Sequence, residues 1–350
     1  MSRPLNIAHR GGTGLWPENT LEAFECAIHL GVDGIELDVH LSRDGQLVVH
    51  HDESLNTAIA RGPDDAWLEE PTPLIKDLTI AELRTYDVGR LRPGSEYAAR
   101  HPEQSAIDGA RIPLLKDVYG LVQDRTRPGF RLYVELKTLL DDPSAAPDPP
   151  TLAEAAVALT HRMEMIESVI LVSADWRTLV QARAIAPKIS IAFTTPSFAL
   201  IDPTDPSASD EEPYSRRALI RQLSATGAPW FAGFDWRDQP GETFAERVFG
   251  ALSTSPTDGW FAWHGDVAPE TAALARERHL EISCWTVDDP VEMSRLATLG
   301  VDAILTDRPD RLATALEQPD ESPASARRPD QAPGARNQRA GCASHRDRAD

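Results

Sequence analysis

Short apolar segments alternate with amphipathic helical segments along most of this 350-residue chain. The first unit shows the pattern, because Leu5–His9 reads as a buried strand and Thr20–Leu30 follows as a helix with apolar side chains three and four residues apart. Gly31 supplies a helix stop. Strand–helix alternation is typical of α/β proteins, in which parallel strands need crossover connections. The chain is therefore predicted to be an α/β protein built on a parallel sheet.

Nine segments have the length and apolar character of strands in such a sheet. They are Leu5–His9, Gly34–Leu41, Arg131–Lys137, Val169–Ala174, Ile189–Thr194, Trp230–Phe234, Gly259–Trp263, Glu281–Val287 and Asp302–Thr306. Parallel strands in that number suggest a closed (β/α)8 barrel with one extra element. Gly259–Trp263 runs directly into a helical pattern at Pro269–Arg278, as a βα unit should, so we assign Trp230–Phe234 to an insertion.

The remaining segments set the expected domain limits. Residues 1–317 are predicted to form one barrel domain, in which residues 53–112 are an irregular insertion after strand two. The stretch Pro196–Pro213 is rich in proline and aspartate and is predicted to be a long, mobile loop. Residues 318–350 contain almost no large apolar side chains and are predicted to be a disordered tail.

Charge and composition narrow the class of partner. A formal net charge of −20 disfavours nucleic acid as a partner. It does not exclude a phosphorylated small molecule, because a bound divalent cation can invert the local field.

The three cysteines are too widely spaced to indicate a disulfide framework. With no apolar run long enough for a bilayer and no room for a signal peptide before the first strand, we expect a cytoplasmic protein without a stable membrane anchor. The oligomeric state stays open.

Three carboxylates stand near the carboxyl ends of two predicted strands. Glu36 and Asp38 are two residues apart, so both side chains point to one face, and Glu135 ends the next barrel strand. Two bare carboxylates at such range repel each other unless a cation or a shared proton intervenes. Three carboxylate oxygens suit Mg²⁺ or Ca²⁺ better than Zn²⁺. For each carboxylate, a salt bridge or a solvated strand edge is the alternative.

Two imidazoles and two cations lie on the same segments. His9 and His51 each end an extended piece, and an imidazole pair can serve as general acid and general base near neutral pH. Arg10 is able to fork onto a phosphate, and Lys137 to meet a phosphate oxygen. The alternatives are hydrogen-bonded surface histidines and local ion pairs.

Taken together and in order, these motifs resemble the glycerophosphodiester phosphodiesterase family over about residues 5–315. The matching motifs are His9-Arg10-Gly11, Pro17-Glu18-Asn19-Thr20-Leu21, Glu36-Leu37-Asp38-Val39, Arg43-Asp44-Gly45, His51-Asp52, Ile112-Pro113-Leu114-Leu115, Glu135-Leu136-Lys137, Trp285-Thr286-Val287 and Thr306-Asp307-Arg308-Pro309.

The resemblance implies a TIM-type barrel with a small insertion after strand two. It implies hydrolysis of glycerophosphodiesters to glycerol 3-phosphate and an alcohol, through attack of the substrate's own 2-hydroxyl on phosphorus and a cyclic phosphate. By the same resemblance, Glu36, Asp38 and Glu135 bind one divalent cation, Mg²⁺ or Ca²⁺. The acid/base pair is His9 and His51. Arg10 and Lys137 are the phosphate ligands, and Trp285 lines the pocket beside the glycerol. We take His51 as the base and His9 as the acid, and we interpret Glu18-Asn19-Thr20 as the start of the first helix, with a supporting role.

Departures from the family pattern leave alternatives open. Leu55-Asn56-Thr57 stands where an Arg-Thr-Thr-like run is common, Ser42-Arg43 replaces a common Thr-Lys, and Trp230–Ser255 has no clear counterpart. The alternatives are a lysophospholipase D-type hydrolase on the same barrel and a catalytically inactive module that binds phosphodiesters. Retention of both histidines disfavours the inactive module, because binding alone needs phosphate contacts but not two acid/base groups.

Overall fold

The computed structural model describes residues 3–205 and 215–317. Its strands are β1 (Leu5–Ala8), β2 (Gly34–Leu41), β3 (Leu47–Val49), β4 (Arg131–Leu136), β5 (Val169–Ser173), β6 (Ser190–Thr195), β7 (Gly259–Trp263), β8 (Glu281–Trp285) and β9 (Ala303–Thr306). Within the described residues, eight parallel strands close into a barrel in the order β1-β2-β4-β5-β6-β7-β8-β9, and β9 pairs with β1 again. The predicted TIM-type barrel is confirmed. The remaining strand, β3, runs antiparallel to β2, because the tight turn at Asp44-Gly45, where Gly45 has φ +70°, joins the two strands as a hairpin.

Helices connect successive strands and pack on the outside of the barrel. They are α1 (Leu21–Leu30), α2 (Ile80–Leu83), α3 (Glu96–Arg100), α4 (Leu115–Arg125), α5 (Pro149–Arg162), α6 (Trp176–Ile185), α7 (Phe198–Ile201), α8 (Arg216–Ala225), α9 (Phe244–Thr254), α10 (Pro269–Glu277), α11 (Pro290–Leu299) and α12 (Pro309–Glu317). The Thr20 hydroxyl caps α1 by accepting a hydrogen bond from the Ala23 backbone N–H at 3.1 Å. Among the helices of the described residues, none combines the length and the apolar character needed to cross a bilayer.

Alternation along the strands separates two apolar layers. The inward side chains form the barrel interior, whose buried members are Ile7, Tyr133, Ile170, Val172, Ala192, Phe261, Ala303 and Leu305. Leu37 and Val39 belong instead to the larger layer between strands and helices. Because Glu36 lies in register with Tyr133 and Asp38 with Glu135, the acidic residues of β2 point into the barrel.

The segment between β3 and α4 carries its own small apolar core. Its buried members are Val48, Leu55, Ala60, Ile75, Leu83, Val88, Ile112 and Leu114. Short helices and turns surround this core, in agreement with an irregular insertion after the second barrel strand. The domain limits given above, 1–317 and 53–112, stay a prediction.

The segment 196–258 between β6 and β7 differs from the expected loop. Phe198–Ile201 is a helix, and Ile201 is fully buried. The Phe198 ring stacks on Trp260 at 6.0 Å between centroids. The prediction of a long mobile loop is therefore wrong for this part, because aromatic packing outweighs its proline and aspartate content. Residues 206–213 of the predicted loop and the predicted tail 318–350 lie outside the described residues.

Trp230–Phe234 is not a strand. Pro229–Phe231 is a single 3₁₀ turn, and Phe231 stacks face to face on Trp176 of α6 with centroids 3.8 Å apart. The Trp176 Nε1–H donates to the Thr194 carbonyl at 2.9 Å, which ties this aromatic packing to β6. The exclusion of Trp230–Phe234 from the barrel is confirmed.

Candidate active site

A tight turn at the end of β1 starts the candidate site. His9, Arg10 and Gly11 form a single 3₁₀ turn in which Arg10 has φ +50° and Gly11 φ +88°. A Cβ at Gly11 would lie 3.0 Å from side-chain atoms of Ala23 and Phe24, so glycine allows the turn to approach α1. The left-handed backbone of Arg10 is costly for a residue with a side chain, and such strain is concentrated at functional sites.

Three carboxylates meet at the carboxyl ends of β2 and β4. Donor atoms of Glu36, Asp38 and Glu135 all lie within 4.8 Å of one another. Glu36 and Asp38 are buried, with 1% of their surface exposed, and Glu135 is half-buried. Burial and the neighbouring charge of Asp38 raise the pKa of Glu36 to about 8. Burial also raises the pKa of Glu135, despite the opposing effect of Lys137.

Asp38 differs because cations surround it. Arg10 Nε lies 3.3 Å and Lys137 Nζ 3.5 Å from its oxygens. Burial alone would raise the pKa of Asp38, but His51, Arg10 and Lys137 outweigh it and hold the pKa well below its usual range. Its Oδ2 accepts a hydrogen bond from Asn19 Nδ2 at 2.9 Å. Its Oδ1 is buried and accepts no hydrogen bond, and its neighbouring cation is Lys137 at 3.5 Å, so this oxygen keeps lone pairs available for a ligand.

Arg10 is held at both ends of its chain. Its backbone N–H donates to Glu36 Oε2 at 3.0 Å, and its Nη1 donates to Glu18 Oε1 at 3.1 Å. In the described part of the chain this is the only hydrogen bond that the guanidinium donates. The guanidinium therefore lies beside the carboxylate cluster with further donors available.

Lys137 follows β4 and lies between two of the carboxylates. Its Nζ is 3.3 Å from Glu135 Oε2 and 3.5 Å from Asp38 Oδ1. Burial lowers the pKa of Lys137, but Glu135 and Asp38 raise it further, so the ammonium stays charged. A fixed positive charge thus lies against the acidic cluster.

His9 is hydrogen-bonded to the carboxylate of Asp307, which lies far from it in the sequence. Its Nδ1 lies 2.7 Å from Asp307 Oδ1, and its Nε2 lies 3.9 Å from Glu36 Oε2. Asp307 follows β9, the barrel neighbour of β1, and its own backbone N–H donates to Asp288 at 2.8 Å. Burial lowers the pKa of His9, but Asp307 outweighs it, and the pKa rises to about 9. This imidazole is therefore in a site that favours its protonated form.

His51 has the opposite electrostatic surroundings. Its Nδ1 lies 2.7 Å from Asp52 Oδ1, and Asn56 Nδ2 donates to the other oxygen of Asp52 at 2.7 Å. Burial, together with the positive charges of Arg10 and Lys137, lowers the pKa of His51 to about 3. The two histidines thus differ in the protonation state that their surroundings favour at neutral pH.

Trp285 ends β8, which β9 and β1 separate from β2. Its ring stacks on Phe261 at 6.2 Å between centroids, and it lies in register with Trp263 of β7. Both tryptophans are half-buried. They form an aromatic wall at the same end of the barrel as the carboxylates, because all the barrel strands are parallel.

Several residues of this network had no assigned role in the sequence. Asp52 and Asp307 stand inside the motifs that match the family. Closure of the barrel brings β9 beside β1, so a closed barrel could have predicted that Asp307 lies near His9. Asn19, interpreted as part of a helix start, instead contacts Asp38. Tyr97 donates a hydrogen bond to Glu18, and no sequence pattern indicated this contact.

Comparison with known proteins agrees with this geometry. The profile of the Glycerophosphoryl diester phosphodiesterase family matches residues 9–311. The Glycerophosphodiester phosphodiesterase of Caldanaerobacter subterraneus subsp. tengcongensis is 28% identical over 89% of this chain and 96% of its own length. Lysophospholipase D GDPD1 of Homo sapiens is 39% identical over 88% of this chain and 84% of its own length.

A solved structure shows the same relationship. A protein from Silicibacter pomeroyi DSS-3, assigned to the glycerophosphoryl diester phosphodiesterases, superposes with a TM-score of 0.72 and is 28% identical. The match covers 91% of this chain and 94% of that one. The chain belongs to the glycerophosphoryl diester phosphodiesterase family, a family of hydrolases.

Proposed function

We propose that this protein hydrolyses glycerophosphodiesters to glycerol 3-phosphate and an alcohol, with one divalent cation and two histidines. The observation that carries the proposal is the meeting of Glu36, Asp38 and Glu135 within 4.8 Å, next to a fixed arginine and a fixed lysine. Oxygen ligands for a cation, positive charge for a phosphate and two imidazoles for proton transfer are what cleavage of a phosphodiester requires.

The donor set fits a hard divalent cation. Asp38 Oδ1 is buried and accepts no hydrogen bond, and a positive ion would give it a ligand and relieve the mutual repulsion of the buried carboxylates. Glu36, Asp38 and Glu135 would hold it, and carboxylate oxygens suit Mg²⁺ or Ca²⁺. When bound, such a cation withdraws charge from the phosphate oxygens and makes a nearby hydroxyl more acidic.

In the first half of the reaction, Arg10 and Lys137 bind the phosphate oxygens and orient the diester. His51 takes the proton of the substrate's 2-hydroxyl as its oxygen forms a bond to phosphorus. The bond from phosphorus to the leaving alcohol breaks, and His9 gives that alcohol its proton. The products are a free alcohol and a cyclic phosphate that bridges two glycerol oxygens.

In the second half, the two histidines exchange roles. His9, now neutral, takes a proton from water as the water oxygen bonds to phosphorus. The bond to the 2-oxygen breaks, His51 returns the proton to that oxygen, and glycerol 3-phosphate is formed. Asp307 and Asp52 hold the Nδ1 side of each ring, each at 2.7 Å, which leaves Nε2 available for these transfers.

A change of leaving group tests the two roles. A 4-nitrophenyl ester of glycerol 3-phosphate has a leaving group that needs no proton, whereas glycerophosphocholine has one that does. His9→Ala is expected to lose about 10²–10⁴-fold in the single-turnover rate of alcohol release from glycerophosphocholine and far less in that from the nitrophenyl ester. This rate reports the first half of the reaction alone, because the second half, in which His9 acts as the base, follows the release of the alcohol. His51→Ala is expected to lose activity on both. Equal losses for His9→Ala on the two substrates would contradict its role as the acid.

The identity with Lysophospholipase D GDPD1 of Homo sapiens supports a second candidate, the same cleavage in a substrate that keeps one acyl chain. Parallel assays on glycerophosphocholine and lysophosphatidylcholine, with Mg²⁺, Ca²⁺ or a chelator, distinguish the two. A higher kcat/KM for the deacylated diester supports the leading proposal, and a higher value for the lysolipid supports the second.

A further inference from the structure

The segment of residues 95–105, which includes α3, lies across the turn that carries His9 and Arg10. Gln104 Nε2 donates to the Thr13 carbonyl at 2.8 Å. The Ser105 backbone N–H donates to the Leu15 carbonyl at 2.9 Å. Both contacts join a part of the insertion to the connection between β1 and α1.

The same segment is also bound to the other end of the barrel domain. Glu103 Oε1 accepts hydrogen bonds from Arg308 Nη1 at 2.6 Å and from Arg311 Nη2 at 2.9 Å. Arg308 stands directly after Asp307, the partner of His9, and Arg311 follows in the first turn of α12. The segment 95–105 is thus anchored on the connection that carries His9 and on the one that carries its partner Asp307.

Tyr97 projects from this segment to a buried carboxylate. Its hydroxyl donates to Glu18 Oε2, while Glu18 Oε1 accepts from Arg10 Nη1 at 3.1 Å. The two oxygens of Glu18 therefore connect Tyr97 to the guanidinium. The Tyr97 ring is itself held edge-on against His101, with centroids 4.9 Å apart.

Glu18 has to remain ionised to hold Arg10. It is 5% exposed, and burial raises the pKa of its carboxyl to about 7. A buried carboxylate is stable only when its oxygens receive hydrogen bonds. Tyr97 and Arg10 supply one to each oxygen, so loss of the tyrosine hydroxyl weakens the charge that fixes the guanidinium.

We propose that Tyr97 and Glu18 are positioning residues for Arg10, through which the insertion completes the phosphate site from outside the barrel. The proposal rests on the phosphate contact proposed above for Arg10. It assigns the insertion a part in substrate binding, through one tyrosine that touches no substrate atom itself.

Calorimetric titration of the full chain with sn-glycerol 3-phosphate, in the presence of Mg²⁺, tests this positioning role. Tyr97→Phe is expected to raise Kd by about tenfold, the effect of removing one hydrogen bond to a buried carboxylate. Arg10→Ala is expected to raise Kd at least as much. Tyr119→Phe is the matched control, because it removes a buried hydroxyl bonded to Thr160 on the outer helices and should bind like the wild type.

A double-mutant cycle separates positioning from general damage. If Tyr97 acts through Arg10, Tyr97→Phe adds no further loss of affinity in the Arg10→Ala background. An equal loss in both backgrounds overturns the proposal, as does unchanged affinity of Tyr97→Phe beside a weakened Arg10→Ala. Wild-type affinity of Arg10→Ala, or no binding of the probe by the wild type, overturns the proposed function as well.

Glu18→Gln keeps the inference testable if Tyr97→Phe does not fold. It preserves the size of the side chain, removes its charge and leaves one acceptor oxygen for the two donors, Arg10 and Tyr97. The expected result is again a Kd about tenfold higher or more, with a thermal midpoint near that of the wild type. Wild-type affinity in this variant overturns the proposal.

Discussion

The two halves of the barrel domain are built in different ways. The charged half, at the ends of β1, β2 and β4, takes its groups from neighbouring strands and crowds three carboxylates within 4.8 Å. The aromatic half, at β6–β8 with residues 196–258, is built from ring contacts such as Trp176 on Phe231 at 3.8 Å. The first arrangement costs folding free energy through like-charge repulsion, and the second stabilises the fold. The carboxylates proposed to act in catalysis and the aromatic contacts that stabilise the fold thus lie on opposite sides of one barrel.

The largest expected effect comes from Glu36→Gln in the charged half. The variant keeps the shape but removes one anionic ligand, so kcat/KM should fall by about 10³-fold or more. Because repulsion is also removed, the metal-free variant should unfold at a temperature no lower than the wild type. Glu281→Gln, at the other end of β8, is the matched control for activity.

Two outcomes of that experiment would break the comparison. A Glu36→Gln variant with wild-type turnover would contradict the role of the cluster. A large fall in its metal-free thermal midpoint would show instead that the charged half stabilises the fold. Mg²⁺ or Ca²⁺ should raise the thermal midpoint of the wild type and have little effect on this variant.

Asp307→Asn is expected to have the next largest effect. Its carboxylate lies 2.7 Å from His9 Nδ1, so its removal loosens the ring and weakens the imidazolium, and kcat should fall by about 10²-fold. Glu292→Gln is a matched control, because Glu292 pairs with His264 Nδ1 at 2.9 Å in the aromatic half. Steady-state kinetics that show equal losses for both variants would contradict the division between the halves.

Trp176→Phe tests the aromatic half. The substitution removes the hydrogen bond to the Thr194 carbonyl and part of a fully buried ring. The free energy of unfolding should fall by about 1–3 kcal/mol, while kcat/KM of the folded protein stays within about twofold of the wild type. Denaturant unfolding with parallel activity assays measures both, and a selective loss of activity would refute the comparison.

The smallest effect is a pH dependence in the aromatic half. Burial raises the pKa of Asp266 to about 7 from 3.8, so the folded protein holds a proton that the unfolded chain releases. The resulting stabilisation is complete below about pH 4 and is lost as the pH rises through 7. Asp266→Asn does not ionise and can still accept from the Phe198 N–H. The thermal midpoint of this variant minus that of the wild type should therefore increase from pH 5 to pH 8. A difference that stays constant over this pH range would contradict the prediction.

The same contrast explains what the sequence was able to predict. Glu36 and Asp38 stand on one strand, and Glu135 stands on its barrel neighbour, so alternation and the parallel order brought them together. Most strands are short segments rich in apolar residues, such as Val169–Ser173, and their alternation with helical segments made the barrel predictable. Local patterns of this kind are independent of distant contacts.

Contacts between distant segments were beyond that reasoning. Tyr97 reaches Glu18 only because the insertion folds back over the barrel. The helix that begins at Phe198 is held by the stacking of its ring on Trp260 and by the hydrogen bond from its backbone N–H to Asp266. The polar composition of both segments suggested irregular structure. In each case tertiary packing, which composition does not report, decided the outcome.

A ³¹P NMR time course of glycerophosphocholine hydrolysis tests the central claim most directly. With the wild type and Mg²⁺ or Ca²⁺, we predict conversion to glycerol 3-phosphate through a transient cyclic phosphate, with no conversion when a chelator replaces the metal. Formation of phosphocholine, or conversion at an undiminished rate with the chelator present, would contradict the account.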